Sequence, residues 1–230
     1  MKLTVVVTVY NEKATIIRAI QAAKDLAVDK EIIVVDNCST DGTRELLRSL
    51  NDPAVQVVYQ PVNYGYGMSV ITGIKMAKGE FLFVHNSDLE YDPACVYEML
   101  DRSEKEGLDA VFGSRLFNRR KKESVLSILK ERPFYLGTVI TTGLANIFYG
   151  RDFTDVIGNR FYRTASVRKI DPQTQGIGFD FEVVSKLCKY GMKLAEVPVT
   201  YASRTVGKKI KVYDIIPAVL IMFRIKFLGF

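Results

Sequence analysis

The sequence is poor in the residue types that build disulfide frameworks and thiolate metal centres. Its 230 residues include three cysteines and one histidine. Cys38, Cys95 and Cys188 lie far apart with no metal-ligand spacing, which argues against a disulfide framework and favours a reducing compartment. The single histidine, His85, lies in an apolar run, and we interpret it as a strand residue rather than a metal ligand.

Long apolar runs are absent as well. No stretch of 18 apolar residues is free of charge, so the sequence predicts no membrane-spanning helix. The run Leu3–Tyr10 is followed at once by Asn11 and Glu12, which is typical of a buried strand rather than of a signal peptide. We therefore expect a cytoplasmic protein.

The end of the first predicted strand lacks two glycine-rich loops. The segment Thr8-Val9-Tyr10-Asn11-Glu12 contains none of the glycines with which a dinucleotide-binding fold approaches a pyrophosphate, which argues against a Rossmann oxidoreductase. It also lacks the Gly-x-Gly-x-Arg type of loop used for nucleotidyl transfer. What this segment offers is a cradle of side chains, in which Tyr10 packs on a base and acidic or amide groups read its edge.

The net charge of +6 conceals two halves of opposite sign. Residues 1–112 carry 11 Lys/Arg and 17 Asp/Glu, whereas residues 113–230 carry 21 and 9. This asymmetry suggests two binding tasks, a cation on the acidic side and phosphates or anionic lipid on the basic side. Aromatic residues are not interleaved with the basic ones, so we do not expect a nucleic-acid partner.

Hydrophobic periods of two and 3.6 residues alternate along the first half and predict an α/β protein. Alternation of strands and helices implies a three-layer fold with a mostly parallel central sheet, and the 48% hydrophobic content suits a single domain. The predicted strands are 3–10, 31–36, 55–60, 80–85 and 109–113, and the predicted helices are 13–27, 43–50, 67–77 and 93–106. Ligands of such sheets bind beyond the carboxyl ends of the strands. Tyr10, Asp36 and the loop after Val84 lie at such ends.

The second half is less regular. Residues 115–132 form a basic segment that we interpret as a mobile loop. Further elements are predicted as helices at 134–149 and 179–190, a short strand within 152–163, and a strand at 194–200. The tail from 212 to 230 is apolar but contains three charged residues.

A series of motifs resembles the family 2 glycosyltransferases with the GT-A fold. They are Thr8-Val9-Tyr10-Asn11-Glu12, Val35-Asp36-Asn37-Cys38-Ser39-Thr40-Asp41-Gly42-Thr43, Asn63-Tyr64-Gly65-Tyr66-Gly67, Asn86-Ser87-Asp88-Leu89-Glu90-Tyr91-Asp92-Pro93, Gly113-Ser114-Arg115, residues 152–163, Gly178-Phe179-Asp180-Phe181-Glu182, Glu196-Val197-Pro198-Val199 and Arg204-Thr205-Val206-Gly207-Lys208-Lys209. Each motif alone is weak, but their order is specific, and the later ones resemble the dolichyl-phosphate mannose synthase-like branch. The resemblance covers residues 3–211, which leaves 212–230 as an apolar C-terminal segment outside the GT-A domain.

The resemblance implies a Mg²⁺ or Mn²⁺ site on Asp88 and Glu90, with Asp88 as a catalytic residue. A cation held by hard oxygens stabilises the charge that develops on a departing nucleoside diphosphate. An extended segment would place both side chains on one side. Family members usually have Asp at the position of Asn86, so this site is one charge short. Asp92 is better explained as the cap of the helix that starts at Pro93.

The same resemblance assigns the nucleotide to Thr8, Tyr10, Glu12, Asp36 and Asn37. At position 37 an acidic residue is common in the family. An amide can accept from uracil N3–H and donate to O4, whereas a carboxylate better matches the two adjacent donors of guanine. We therefore expect a UDP-sugar in preference to GDP-mannose.

The acceptor is expected on the basic half. Arg115, Arg204, Lys208 and Lys209 match positions that face phosphates in this branch, and arginine binds a phosphate bidentately. We interpret the basic run 119–122 as a solvated loop. If the acceptor is a polyprenyl phosphate, residues 134–149 and 215–223 are candidates for in-plane membrane contact, with core packing as the alternative. This places the protein peripherally on the cytoplasmic face of a membrane.

The resemblance implies an inverting displacement. A phosphate acceptor is already an anion and needs little help from a base, whereas a saccharide hydroxyl acceptor would need one. Asp180 is then the first candidate base and Glu182 the second, although both also suit the first turn of a helix. Transfer to a saccharide hydroxyl and non-catalytic nucleotide-sugar binding remain alternatives. Asp155 and Arg160 match the family pattern without an assigned role.

Overall fold

The computed structural model describes residues 1–203 and 215–229. Within these ranges, seven strands form one sheet in the order β3-β2-β1-β4-β6-β5-β7. Their bounds are β1 Leu3–Val9, β2 Lys30–Asp36, β3 Val55–Tyr59, β4 Phe81–Asn86, β5 Ala110–Ser114, β6 Asn159–Arg163 and β7 Leu194–Pro198. β6 runs antiparallel to both of its neighbours, and the remaining pairs are parallel. The prediction of a mostly parallel sheet is confirmed.

Helices cover both faces of the sheet. In the described ranges their bounds are α1 Ile16–Lys24, α2 Thr43–Ser49, α3 Tyr66–Met76, α4 Cys95–Glu106, α5 Phe117–Arg120, α6 Val125–Glu131, α7 Leu136–Tyr149, α8 Thr164–Lys169, α9 Phe179–Lys189 and α10 Ile215–Phe227. One core lies under α3 and α9, and a second lies under α1 and α4. All of β1 is buried, as expected for a central strand with helices on both sides. The three-layer α/β prediction is therefore confirmed.

The basic segment 115–132, which the sequence predicts as a mobile loop, contains two short helices instead. The Ser124 hydroxyl caps α6 by accepting from the backbone N–H of Ser127. Arg119 pairs with Glu123 one turn later and also with Glu131. Leu116, Ile128 and Tyr135 form a small third core beneath these helices. The loop interpretation was wrong for two reasons. Glu123 and Glu131 neutralise the charge of Arg119, and the apolar side chains of this third core bury part of the segment. Helix α8 was also not predicted from the sequence.

The C-terminal helix α10 packs against the domain by one face. Ala218, Met222 and Ile225 recur at helical spacing and are buried, and α10 contacts α7 and α9. Its opposite face is apolar but exposed, with the residues Ile216, Leu220, Phe223 and Phe227. The 215–227 part of the tail therefore joins the core while keeping an exposed apolar stripe. Over the described residues, none of the helices is both long and apolar enough to cross a membrane.

Parallel pairing brings three strand ends to one edge of the sheet. β1 lies between β2 and β4, and the register aligns Val9 with Asp36 and Thr8 with Asn86. Residues with positive φ that are not glycine follow each of these strands, namely Asn11, Cys38 and Leu89. Such backbone strain concentrates at functional sites, where the surrounding structure holds it. The fold thus marks this edge as the candidate site.

Two neighbouring residues of α10 test whether this helix is docked. Met222 is fully buried, whereas Phe223 is 48% exposed. We expect Met222→Ala to lower the free energy of unfolding by about 2–4 kcal/mol, because it empties a packed site. Phe223→Ala should change it by less than about 0.5 kcal/mol, as surface substitutions do. Urea unfolding measures both values, and equal small effects would show that α10 is not part of the core.

Candidate functional site

The candidate site lies beyond the ends of β1, β2 and β4. The Thr8 hydroxyl donates to Asn86 Oδ1 over 3.1 Å and joins the predicted nucleotide and cation segments. The backbone N–H of Glu12 donates to the Thr43 hydroxyl, and the Asn11 N–H donates to Ser39. These bonds tie the loop after β1 to the loop after β2. The loops that the sequence assigned to a nucleotide are therefore neighbours in the fold.

Asp36 has a structural environment that the sequence did not reveal. Its carboxylate is fully buried, with Oδ1 accepting from the Ser39 N–H and Oδ2 accepting from Arg44 Nε at 2.6 Å. Arg44 also donates to the Gln60 carbonyl. Both oxygens of Asp36 thus hold the turn after β2 and the adjacent chain. We correct its predicted role, because a carboxylate enclosed in this way supports the nucleotide loop rather than contacting a base.

Asn37 has a side-chain amide with a fixed orientation. Its Nδ2 donates to Asn63 Oδ1 over 2.8 Å, and its Oδ1 accepts from the Tyr64 N–H over 2.9 Å. Asn63 in turn accepts from the Gly65 N–H. The remaining N–H of Asn37 can donate, while its oxygen is already bonded. Asn63 was not predicted as a site residue, although it lies in a motif that the sequence singled out.

Asp88 and Glu90 lie in a turn that follows β4, not in an extended segment. Leu89 between them has φ 58°, and the Glu90 N–H donates to Asp88 Oδ1 over 3.2 Å. The expectation of simple strand alternation was wrong, since this left-handed residue reverses the chain. Asp88 and Glu90 thus follow Asn86 within four positions, at the sheet edge where the loops after β1 and β2 also lie.

The chemistry of this set of oxygens fits Mg²⁺ or Mn²⁺. Among the described residues there is no cluster of three His, Cys, Asp or Glu side chains that could hold a metal ion by themselves. Magnesium is typically bound by one or two carboxylates together with waters and substrate phosphates. Asp88 and Glu90 offer two carboxylates, and the Asn86 carbonyl oxygen is a neutral addition. The set therefore suits a cation that is shared with a diphosphate.

Arg115 is only slightly exposed and is held by a carboxylate. Its Nε and one terminal nitrogen bond the two oxygens of Asp155 at 2.6 and 3.0 Å. The guanidinium carbon also lies 5.4 Å from the centre of the Tyr135 ring and 5.3 Å from that of Tyr201. This pairing gives Asp155 the role that the sequence left open, and it directs Arg115 into the protein. The other predicted acceptor residues, Arg204, Lys208 and Lys209, lie outside the described residues.

Asp180 and Glu182 are both engaged in the first turn of α9. Asp180 forms a buried ion pair with Arg160, and burial raises the pKa of Asp180 to about 6 despite the opposing effect of the guanidinium. Glu182 accepts from the backbone N–H groups of Gln173 and Thr174 and pairs with Lys186. Burial raises the pKa of Glu182, but these hydrogen bonds outweigh it and leave the pKa below its usual value. Asp180 Oδ1 has no hydrogen-bond partner among the described residues, but it is buried, whereas both oxygens of Glu182 are engaged. Neither carboxylate is therefore exposed in the way an open general base would be.

His85 is a core residue, as the sequence indicates. Its ring stacks on Phe83 with 6.2 Å between centroids and is almost fully buried. Burial lowers the pKa of His85 to about 4, so the ring is neutral at physiological pH. It supports β4 directly before the cation segment.

The comparisons with known proteins agree with this geometry. Residues 4–174 match the sequence profile of glycosyl transferase family 2. The chain is 25% identical over 217 residues to an undecaprenyl-phosphate mannosyltransferase of Micrococcus luteus, covering 90% of this chain and 86% of that protein. It is 28% identical over 216 residues to a dolichol-phosphate mannosyltransferase of Pyrococcus furiosus, covering 90% of this chain and 58% of the relative.

A solved structure supports the fold independently. Glucosyl-3-phosphoglycerate synthase from Mycobacterium tuberculosis, in complex with Mn²⁺, UDP and phosphoglyceric acid, superposes with a TM-score of 0.61. The sequences are 20% identical, and the match covers 89% of this chain and 72% of that one. With the profile spanning most of its length, the chain belongs to glycosyl transferase family 2.

Proposed function

We propose that this protein transfers a sugar from a nucleotide to the phosphate of a polyprenyl phosphate, with inversion at the anomeric carbon. The observation that carries the proposal is the burial and pairing of the two candidate bases. Asp180 pairs through Oδ2 with buried Arg160, and its Oδ1, which has no hydrogen-bond partner among the described residues, is itself buried. Glu182 is bound by backbone N–H groups and Lys186. An acceptor phosphate is already an anion and attacks without losing a proton, whereas a saccharide hydroxyl must be deprotonated. A site with these carboxylates occupied therefore favours phosphate.

The charge distribution and the relatives support the same acceptor. The names of the Micrococcus and Pyrococcus relatives refer to undecaprenyl phosphate and dolichol phosphate. In this sequence the motif that contains Arg204, Lys208 and Lys209 follows β7 directly. Arginine and lysine are the side chains that bind phosphate. We assign the acceptor phosphate to this motif, and we assign Arg115, which is held by Asp155, a structural role.

The donor is proposed to be a UDP-sugar held by Thr8, Tyr10, Glu12 and Asn37. The Asn37 oxygen already accepts from the Tyr64 N–H, while one N–H of its amide can donate to a carbonyl of the base. Guanine presents two adjacent donors on one edge, which a carboxylate would match with two oxygens and this amide matches with only one. GDP-mannose is the second candidate donor, because both sequence relatives are named mannosyltransferases.

Asp88 and Glu90, assisted by Asn86, are proposed to hold Mg²⁺ or Mn²⁺ against the donor diphosphate. When bound, such a cation neutralises the negative charge that develops on the leaving group. The protein contributes the turn at Leu89 that sets both carboxylates at the nucleotide edge. The Thr8 hydroxyl, bonded to Asn86, links this group to the first nucleotide loop.

A lipid acceptor requires a surface that meets the membrane, and α10 offers one. Ile216, Leu220, Phe223 and Phe227 form an exposed apolar stripe opposite the buried face of the helix. The basic residues Arg224 and Lys226 interrupt this helix at positions next to the stripe. Apolar residues combined with cations bind in the plane of a bilayer that contains anionic lipid. The free cysteines suit the reducing, cytoplasmic side of that membrane.

Product partitioning tests the acceptor. The full chain is incubated with Mn²⁺, undecaprenyl phosphate and each of a panel of radiolabelled nucleotide sugars, including UDP-glucose, UDP-N-acetylglucosamine and GDP-mannose. We expect label in the organic phase with a UDP-sugar, since only a lipid product extracts there. Label transferred solely to an added oligosaccharide would contradict the phosphate acceptor. Transfer from GDP-mannose alone would overturn the argument from Asn37.

Replacement of Asp88 tests the cation site. We expect Asp88→Ala to abolish Mn²⁺-dependent UDP binding and to lower kcat/KM by about 10³-fold or more, because a catalytic cation contributes several kcal/mol. Asp92→Ala is the matched control, since its carboxylate accepts from the Ala94 N–H next to the start of α4. Titration calorimetry with and without Mn²⁺ measures the binding. Unchanged binding and turnover in Asp88→Ala would remove the cation from this turn.

Vesicle binding tests the apolar stripe. The double substitution Phe223→Ser and Phe227→Ser should strongly reduce cosedimentation with phosphatidylglycerol-containing vesicles, because each aromatic residue buries apolar area worth about 1.5–3 kcal/mol. Ile17→Ser, at an exposed apolar residue of α1, serves as the control and should leave cosedimentation unchanged. Equal binding by the double variant and the unmodified chain would contradict membrane contact through α10.

A further inference from the structure

A tyrosine from a distant part of the chain contacts the carboxylate that is proposed to bind the cation. Tyr201 follows β7, 111 positions after Glu90 in the sequence. Its hydroxyl donates to Glu90 Oε2 over 3.0 Å. No sequence motif indicated this contact, since the two residues come together only through the placement of β7 at the far side of the sheet.

Backbone contacts also connect the segment at Glu90 with the segment at Tyr201. The Ala202 N–H donates to the Glu90 carbonyl over 2.8 Å, and Tyr91 pairs with Tyr201 in an isolated antiparallel bridge. The two tyrosine rings pack with 5.0 Å between centroids. This bridge lies directly beyond Leu89, whose left-handed backbone is unfavourable for a residue with a Cβ. The Tyr201 segment therefore helps to hold the strained turn that presents the cation carboxylates.

The ring of Tyr201 is itself held on its other side. The Arg115 guanidinium carbon lies 5.3 Å from the ring centre, and Arg115 is fixed by two bonds to Asp155. A ring that packs against Tyr91 and Arg115 has little freedom to turn. Its hydroxyl is therefore directed towards Glu90 before any ligand arrives. A glutamate side chain on its own has several rotamers, and restricting them when a cation binds costs conformational entropy.

We propose that Tyr201 is a positioning residue that orients Glu90 for the divalent cation. The proposal rests on the proposed function, because it assumes that Glu90 is a cation ligand. Partners of this kind orient a ligand carboxylate and strengthen its binding, and removing one weakens metal affinity about 10–100-fold. Tyr201 acts through Glu90 and contacts neither the sugar nor the acceptor in this scheme.

Removal of one hydroxyl tests the proposal. Tyr201→Phe keeps the ring against Tyr91 and Arg115 and deletes the bond to Glu90. We expect Mn²⁺ affinity, measured by electron paramagnetic resonance on the full chain with UDP, to fall about tenfold. The Mn²⁺ concentration for half-maximal transfer should rise equally, while kcat at saturating Mn²⁺ stays within about twofold. Tyr135→Phe is the matched control, since Tyr135 also faces the Arg115 guanidinium. Its Mn²⁺ affinity should not change.

A double-mutant cycle separates positioning from a general structural effect. In a Glu90→Ala background, which removes the oxygen that accepts from Tyr201, Tyr201→Phe should cause no further loss of Mn²⁺ affinity, because the two residues act through one interaction. Additive losses, or an unchanged Mn²⁺ affinity in Tyr201→Phe alone, would overturn the assignment of Tyr201 while leaving the cation site intact. If the unmodified chain binds no Mn²⁺ in the presence of UDP, the proposed cation site and the role of Tyr201 fail together.

Discussion

The parallel alignment of β1 between β2 and β4 is the constraint on which the rest of the structure depends. Because the three strands run in one direction, their carboxyl ends meet at one edge, and the register sets Val9 beside Asp36 and Thr8 beside Asn86. Parallel strands also need helical crossovers, which cover both faces of the sheet and bury its strands. The loops at this edge are thus the part of the sheet that remains free to bind a ligand.

Buried ion pairs hold the chain around that edge. Asp36 pairs with Arg44, Asp155 with Arg115 and Asp180 with Arg160, and all three aspartates are buried. Removing one member of such a pair leaves an uncompensated charge inside the protein, so each pair is maintained as a unit. Asp36, Arg115 and Asp180, for which the motifs predicted roles in binding or catalysis, are engaged in these ion pairs. The residues proposed to bind the cation and the nucleotide lie in short loops, and the ion pairs fix the surroundings of those loops.

The distribution of charged residues along the chain also bears on the proposed sugar transfer. Carboxylates at the end of β4 suit a cation shared with a diphosphate, and the second half of the chain supplies most of the positive charge. Tyr201 contacts residues of both halves of the chain, since its hydroxyl donates to Glu90 and its ring packs against Arg115. In the sequence, Arg204 follows it by three positions. The exposed stripe of α10 gives the same half of the protein an apolar surface. The proposed donor and cation residues thus lie in the first half of the chain, and the proposed acceptor residues lie in the second.

The sequence by itself determined the layer architecture and the order of the elements along the chain. Hydrophobic periodicity is local and therefore readable, as in β1 and α9. The motifs also led to the predictions that the site lies at the carboxyl ends of the strands and includes Asp88, Glu90 and Asn37. Only the tertiary structure decided which charged residues form ion pairs or hydrogen bonds with other side chains of the protein. Arg44 encloses Asp36, Asp155 holds Arg115, and Tyr201 reaches Glu90 across the sheet. Such partners are far apart in the chain, and no local pattern records a contact that arises only when distant strands pair.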